Sequence, residues 1–390
     1  MKRYLLVTAA LTLGICVLAG LFNYSVDPYG IYHADSANAD RLSRIDLFYY
    51  LRLTKPWQVT ATKPTAVVVG TSRTATVDPQ GPGWPREGSY NLSVPGMTPY
   101  EMLRFIEHAQ ANGPLKKLMI GLDFEAFIQP EPEFRQGFEE WRMARTADAL
   151  SAPRFFWQRL RDDRDALFSL ASVGNSLSAL SGTAQVGRRY SPDGTWETTG
   201  NRFAGKAGFI RIGRGTVFDL RNERLSLDEN MSILAEILRF AHRQSIDTRL
   251  FITPEHVFML DLWWRLGDGE LWNAFHRRVV AVNEAVAREL GVDAFPLFGF
   301  NQAAGVVDEP IRNARESKGS TFSDGTHFRS PLGQRIMSSV WDDSGSLGVR
   351  LDADAVDGYL QQVDVLRQGF LAANRELAAT MRRSISPDLH

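Results

Sequence analysis

An uninterrupted apolar run near the start of the chain decides the fold class. It covers residues 65–70, TAVVVG, and is bounded by Pro64 and Gly70. A strand that is apolar at every position is buried on both faces, which is typical of a central strand in a parallel sheet. Parallel strands need crossover connections, usually helices, so the run predicts an α/β fold.

The segments after this run alternate between strand and helix patterns. Further strands are predicted at residues 90–93, 118–122, 248–253 and 292–296, and helices at 98–111, 225–244, 271–290 and from Ser330 onwards. Thr98 and Glu101 have the spacing of a capping box at the start of the first of these helices. Strand, helix and strand in this order predict right-handed crossovers and a doubly wound sheet.

The N-terminus has the pattern of a membrane anchor. Lys2 and Arg3 precede residues 4–22, which carry no charge and, at about 1.5 Å per residue, nearly cross a bilayer core of roughly 30 Å. A cleaved signal peptide has a similar pattern, but the long run and the missing A-x-A site favour an uncleaved anchor. The two basic residues keep the N-terminus cytoplasmic, which predicts a single-pass protein of the bacterial inner membrane with a periplasmic body. Cys16, the only cysteine, lies in the run and excludes an intramolecular disulfide.

We expect four regions along the chain. They are an anchor (1–24), a stalk with a lead-in helix at 41–57 (25–63), a main domain (64–350) and a helical tail with one helix at 352–383 (351–390). The main domain carries an insertion at about 128–247, which breaks the alternation and has helical patterns at 133–149 and 153–180. Inserts of this kind commonly shape access to a site.

Charge and motifs exclude several classes of function. The net charge of −1 argues against a nucleic-acid partner. The sequence contains no Walker loop, no GxGxxG after a strand and no His/Cys cluster at metal-ligand spacing. We therefore expect neither a cofactor nor a metal, and side chains must supply any catalysis.

Two short motifs supply a possible catalytic set. The apolar strand runs into Gly70-Thr71-Ser72, which places Ser72 at the end of the strand, and the segment 324–327 reads Asp-Gly-Thr-His. Alone, a serine in such a turn is typical of a helix N-cap, and Asp-Gly is a generic turn. Together they offer a nucleophile (Ser72), a base (His327) and a residue that orients the base (Asp324). Both motifs are predicted at carboxyl ends of strands, where open α/β sheets bind ligands.

These blocks resemble the SGNH (GDSL-type) hydrolase superfamily. The resemblance covers roughly residues 64–127 and 248–340, and it implies a flavodoxin-like α/β/α sandwich of three layers. The first block, with Thr71 and Arg73 around Ser72, looks like that of membrane-anchored members that modify cell-surface polymers, among them the D-alanyl transfer protein of teichoic acid synthesis. The second block, residues 91–96, implies that the backbone N–H of Ser93 or Gly96 joins that of Ser72 in an oxyanion hole.

The third block departs from the family pattern. Where the family has Gly-x-Asn-Asp, this chain has Gly121-Leu122-Asp123-Phe124, so Asp123 replaces the expected oxyanion donor. A carboxylate aimed at an oxyanion would repel it, and losing one donor costs about 10²–10³ in rate. Three explanations stay open: Asp123 is protonated, it points elsewhere to fix the loop, or the protein hydrolyses poorly.

Two further residues are candidates for substrate binding, and the resemblance implies a function. Arg73 could bind an anionic group or pair with a carboxylate. His256, which follows a predicted strand, could line the site or be a solvent-facing or hydrogen-bonded loop histidine. We expect a serine-dependent O-acyltransferase that acetylates an exported polysaccharide and receives acyl groups from a membrane-bound O-acyltransferase partner. An esterase or deacetylase on the same kind of polymer, and a non-catalytic scaffold that binds polysaccharide or a partner, are the alternatives.

Overall fold

A computed structural model describes residues 1–33, 45–81, 83–128, 135–182, 187–198, 204–222, 227–342 and 347–388 of the chain. The chain divides into two compact units. The larger unit comprises residues 65–103, 115–135 and 200–390, and the smaller comprises residues 1–64, 104–114 and 136–199. The domain limits predicted from the sequence stay a prediction.

The larger unit is built on a six-stranded sheet. Its strands are β1 (Ala66–Val69), β2 (Ser89–Asn91), β3 (Lys117–Leu122), β6 (Asp247–Ile252), β7 (Leu297–Gly299) and β8 (Val349–Arg350). The order across the sheet is β2-β1-β3-β6-β7-β8, and only the edge pair β7–β8 is antiparallel. The prediction of a mixed α/β fold with a mainly parallel sheet is confirmed.

Helices of the larger unit lie between and after these strands. They are α3 (Pro99–Asn112, which extends into the smaller unit), α4 (Phe124–Phe127), α7 (Gly205–Asn222), α8 (Asp228–Arg243), α9 (Val257–Leu266), α10 (Gly269–Leu290), α11 (Ser330–Trp341), α12 (Val356–Ala373) and α13 (Arg375–Ile385). The predicted capping box forms: the Glu101 N–H donates to Thr98 Oγ1, and the Thr98 N–H donates to a carboxylate oxygen of Glu101, both over 3.2 Å. Every residue of β1 is buried, so both faces of this strand are covered, as its composition predicts.

The smaller unit is mainly helical. Its helices are α1 (Lys2–Val26), α2 (Leu51–Thr62), α5 (Pro153–Phe168) and α6 (Leu170–Ser181), and β4 (Arg188–Tyr190) pairs with β5 (Trp196–Thr198) in a hairpin. Asp162 holds the unit together, because its two oxygens accept hydrogen bonds from Arg142, Gln158 and Trp57 over 2.7–2.8 Å. Helix α1 is long and apolar enough to cross a membrane.

Several predicted elements differ from the structure. The strand expected at 292–296 lies instead at Leu297–Gly299, because Pro296, which has no N–H, contributes only its carbonyl to the ladder. The helix expected at 133–149 is wrong for residues 135–149, which hold only short 3₁₀ turns. Ser169 divides the helix predicted at 153–180 by capping α6, and Asn374 divides the predicted tail helix. The lead-in helix begins at Leu51, and its predicted first turn, 41–44, lies outside the described residues.

Candidate active site

The two sequence motifs meet in the larger unit. Ser72 lies just beyond the end of β1, and its Oγ is 2.9 Å from His327 Nε2. His327 Nδ1 is 3.0 Å from each carboxylate oxygen of Asp324. A serine, a histidine and an aspartate are therefore joined in the order that transfers a proton from Oγ to the imidazole.

The turn that carries Asp324 and His327 is fixed by its glycine. Gly325 has φ +90°, and a Cβ there would lie 2.6–2.8 Å from side-chain atoms of Phe209 and Met259. The Gly325 carbonyl accepts the N–H of His256 over 2.8 Å. Only glycine combines this backbone conformation with this close packing.

Asp324 is buried and oriented from several sides. Its Oδ1 accepts the N–H of His327 over 2.9 Å and the N–H of Thr326 over 3.3 Å. Burial alone would raise the pKa of Asp324, but the neighbouring His327 and these N–H groups outweigh it and hold the pKa below its usual value. Asp324 is therefore an ionised partner that fixes the imidazole with Nδ1–H towards the carboxylate.

A cavity of about 220 Å³ opens in front of Ser72. Ser72, His327, Gly96 and Asp123 line it. Its remaining wall combines polar and apolar residues: Thr71, Arg73, Met97, Thr98, Glu125, Ala126, Ile128, Arg135, Ile212, Thr216, Trp263 and Thr326. The cavity lies beyond the carboxyl ends of β1 and β3, the edge at which parallel sheets bind ligands.

The predicted oxyanion donors differ in whether their N–H groups already have an acceptor within the protein. The N–H of Ser93 donates to Asn91 Oδ1 over 2.9 Å, and Ser93 is fully buried away from the cavity. The N–H of Ser93 is thus not available to an oxyanion, because Asn91 already accepts it. Gly96 lines the cavity, and within the described part of the chain no acceptor takes its N–H or that of Ser72. Of the predicted donors, the N–H groups of Ser72 and Gly96 are thus the two without an acceptor among the described residues.

Asp123 is engaged by hydroxyl groups on both oxygens. Thr71 Oγ1 donates to Oδ2, and Thr253 Oγ1 donates to Oδ1. Arg73 Nε lies 3.8 Å from Oδ1. Burial raises the pKa of Asp123, an effect that the Arg73 charge and the two hydroxyls oppose. Of the explanations left open by the sequence, this geometry agrees with a residue that joins the loops after β1, β3 and β6.

Arg73 pairs with carboxylates of the protein itself. Its guanidinium contacts Glu255, which follows β6, and lies 2.8 Å from Glu125. Burial lowers the pKa of Arg73, but three neighbouring carboxylates reverse this and raise it. The predicted role in binding an anionic substrate is therefore not what the geometry favours, because these groups already neutralise the cation.

His256 lies outside the cavity and caps a helix. Its Nδ1 accepts the N–H of Phe258, and its Nε2 donates to the Glu309 carbonyl over 2.8 Å. Burial lowers the pKa of His256 to about 4, so the ring is neutral at physiological pH. Of the two readings of His256, the structure agrees with a hydrogen-bonded histidine, since the buried side chain caps α9 and is not among the residues that line the cavity.

Sequence reasoning missed Glu255 and Glu125. The rule that ligand-binding residues follow strand ends applies equally to Glu255 and to His256, its neighbour, but only the glutamate points towards the cluster around Arg73. Glu125 comes two residues after Asp123 and lines the cavity, with its side chain 39% exposed.

Sequence comparison finds no family model and no curated protein that matches this chain.

Proposed function

We propose that this protein is a serine-dependent acyltransferase of SGNH type, anchored in the membrane, that transfers a short acyl group to an exported polysaccharide. One observation carries the proposal: Ser72 Oγ, His327 and Asp324 form a continuous hydrogen-bonded relay beside a cavity. A scaffold has no need of this relay, because binding a polysaccharide requires no nucleophile activated by a base.

The mechanism follows from the polarity of this relay. His327 Nε2 takes the Ser72 proton while Oγ attacks the carbonyl carbon of an acyl ester, and the Ser72 and Gly96 N–H groups stabilise the oxyanion. The imidazolium then returns the proton to the departing alcohol oxygen, which leaves an acyl group on Ser72. A second hydroxyl, deprotonated by the same imidazole, takes the acyl group and regenerates the serine.

The cavity and the sheet support the kind of acyl group and the family. A volume of about 220 Å³ lies below the roughly 300–1,000 Å³ of pockets for drug-sized ligands, so a short acyl group such as acetyl fits better than a long chain. Counting only the parallel strands, the order is second-first-third-fourth-fifth along the chain, which is the flavodoxin-like order. We infer from this order that the resemblance to SGNH hydrolases extends to the fold.

Helix α1 supports a role at the membrane. An extracytoplasmic site has no soluble acyl-CoA, so the acyl donor must be delivered through the bilayer, which implies a membrane-bound O-acyltransferase as partner. Hydrolysis is the second candidate, because the His327 side chain is 30% exposed and water can reach the imidazole. Water in place of the polysaccharide hydroxyl would make the same site an esterase or deacetylase.

The test is formation and decay of an acyl-enzyme. We would incubate the full-length protein, in detergent micelles, with p-nitrophenyl acetate and follow p-nitrophenol release and the intact mass, beside Ser72→Ala. We expect one acetyl group per wild-type chain and none on the variant. Oligosaccharide acceptors that accelerate loss of the adduct and become acetylated identify a transferase, whereas decay to acetate alone identifies an esterase. A folded wild-type protein that neither releases p-nitrophenol nor gains mass would refute nucleophilic catalysis by Ser72 on activated acetyl esters.

A further inference from the structure

One helix of the smaller unit exposes its leucines and buries two of its serines. Helix α6 buries Ser172 and Ser176, whereas Leu170, Leu177 and Leu180 are 90%, 56% and 49% exposed. The helix contains no charged residue. A surface helix in water has the opposite arrangement, with its apolar stripe towards the core and its polar face towards solvent.

Helix α5, which packs against α6, adds large apolar side chains to this surface. Trp157, Leu160 and Phe168 share one face of α5 by their helical spacing and are 62%, 48% and 51% exposed. We define the apolar hairpin face as these six residues: Trp157, Leu160, Phe168, Leu170, Leu177 and Leu180. Exposed apolar residues that cluster on a protein surface often mark an interaction site for a protein or a membrane.

The hairpin of α5 and α6 is fixed to the end of helix α1. Asn23 Nδ2 donates to the Leu167 carbonyl over 2.7 Å, and Ser176 Oγ donates to Asn23 Oδ1 over 2.7 Å. A Cβ on Gly20 would collide with the ring of Phe168, so the hairpin touches α1 within its apolar part. The attachment is therefore a packed contact with specific hydrogen bonds.

Both helices of the hairpin contact α1 close to its apolar residues. Phe168, at the end of α5, lies against Gly20, and Ser176 of α6 contacts Asn23, about one turn further along α1. Gly20 belongs to the uncharged residues 4–22, so a bilayer that contains this run begins close to the hairpin.

We propose that the apolar hairpin face lies in the interface of the lipid bilayer that helix α1 enters, an inference that rests on α1 being a membrane anchor. Indole rings are favoured at the boundary between headgroups and acyl chains, and Trp, Phe and Leu are typical of the apolar face of helices that lie there. Arg154 and Arg161 on the exposed side of α5 suit the anionic headgroups there, whereas Arg164 is paired with the exposed Asp165 over 2.7 Å. The hairpin of α5 and α6 would then contact both the end of α1 and the lipid around it.

The experiment uses the chain's single cysteine. In full-length Cys16→Ser protein, Leu177→Cys and Leu180→Cys are each labelled with the fluorophore NBD and reconstituted in vesicles of phosphatidylethanolamine and phosphatidylglycerol. The matched control is Val365→Cys on helix α12, another exposed apolar position, 69% exposed. NBD on the native Cys16 reports separately whether α1 lies in the bilayer. Lipids with a nitroxide near the headgroup then quench any label that contacts lipid.

We expect NBD at positions 177 and 180 to emit at shorter wavelength than at 365 and to lose most of its fluorescence with nitroxide lipids. Equal emission and equal quenching at 177 and 365, with Cys16 quenched, would overturn the proposal and leave the anchor intact. Emission at shorter wavelength without quenching would also overturn it, since a second copy or a partner protein would then cover the face. An unquenched label at Cys16 would refute the anchor and the proposal together.

Discussion

Replacing Asp123 by asparagine separates two of the three explanations for this unusual residue. If the carboxylate joins three loops, as its contacts with Thr71 and Thr253 indicate, then Asp123→Asn weakens the scaffold of the site. If instead the carboxylate repels the developing oxyanion, the same substitution removes an obstacle to catalysis. The second explanation predicts a faster reaction, and the first predicts a rate that is unchanged or reduced.

The expected loss of stability follows from the contacts. Two buried hydrogen bonds change from charged acceptors, worth about 1.5–3 kcal/mol each, towards neutral ones, worth about 0.5–1.5 kcal/mol. Arg73 keeps Glu125 and Glu255, so no cation is left unpaired. The relief of burying a charge offsets part of the loss. We therefore expect the free energy of unfolding to fall by about 2 kcal/mol, or a Tm lower by about 4–8 °C for a unit of this size.

The assay combines thermal unfolding of the full-length protein with the rate of p-nitrophenyl acetate turnover. We expect the lower Tm together with a rate that is unchanged or reduced. Thr253→Val is the matched control, because it removes one donor to Asp123 and leaves the charge. The double variant should lose less stability than the sum of the two single losses, since both substitutions break the same contact.

One result would refute this reasoning. A rate that rises by about 10²-fold or more in Asp123→Asn, the scale of one oxyanion donor, with an unchanged Tm, would mean that the carboxylate faces the oxyanion and that its hydroxyl contacts contribute nothing.

Three further predictions concern the relay, its turn and acid stability. Asp324→Asn should lower kcat by about 10³–10⁴-fold with little change in KM, because the imidazole loses the acceptor that fixes its tautomer; an unchanged kcat would remove Asp324 from the mechanism. Gly325→Ala should lower the free energy of unfolding by about 1–3 kcal/mol, more than Gly305→Ala, where φ is also positive but the space is open; equal losses in denaturant titrations would contradict the packing argument. Burial lowers the pKa of both His256 and His276 to about 4, so the unfolded chain binds more protons between about pH 6.5 and 4, and stability should fall by about 1.4 kcal/mol per pH unit for each histidine as the pH decreases. In denaturant titrations of His276→Phe across this range, the free energy of unfolding should change less steeply with pH than in the wild-type protein. An unaltered pH dependence would refute the contribution of His276.

Local patterns predicted the centre of the larger unit well. Strand β1 and the capping box of α3 depend on neighbouring residues, so the sequence alone located both. Strand β7 was misplaced, because its start depends on where Pro296 meets the ladder of β6. The environment of Asp123 was beyond prediction, since Thr253 lies 130 residues away along the chain. His256 was chosen over Glu255 because sequence does not tell which of two adjacent side chains turns inwards.

The hydrogen bonds of Asn23 bear on how the protein can be handled. An anchor that serves only as a tether can be cut away without harm to the folded part. Here deletion of residues 1–24 would remove Gly20 and Asn23, both of which are buried. The Leu167 carbonyl and the Ser176 hydroxyl would then lose the hydrogen bonds that Asn23 makes with them. A soluble version made by deleting the first helix should therefore be less stable and more prone to aggregate than the full chain in detergent. The end of helix α1 is therefore also part of the folded core of the smaller unit.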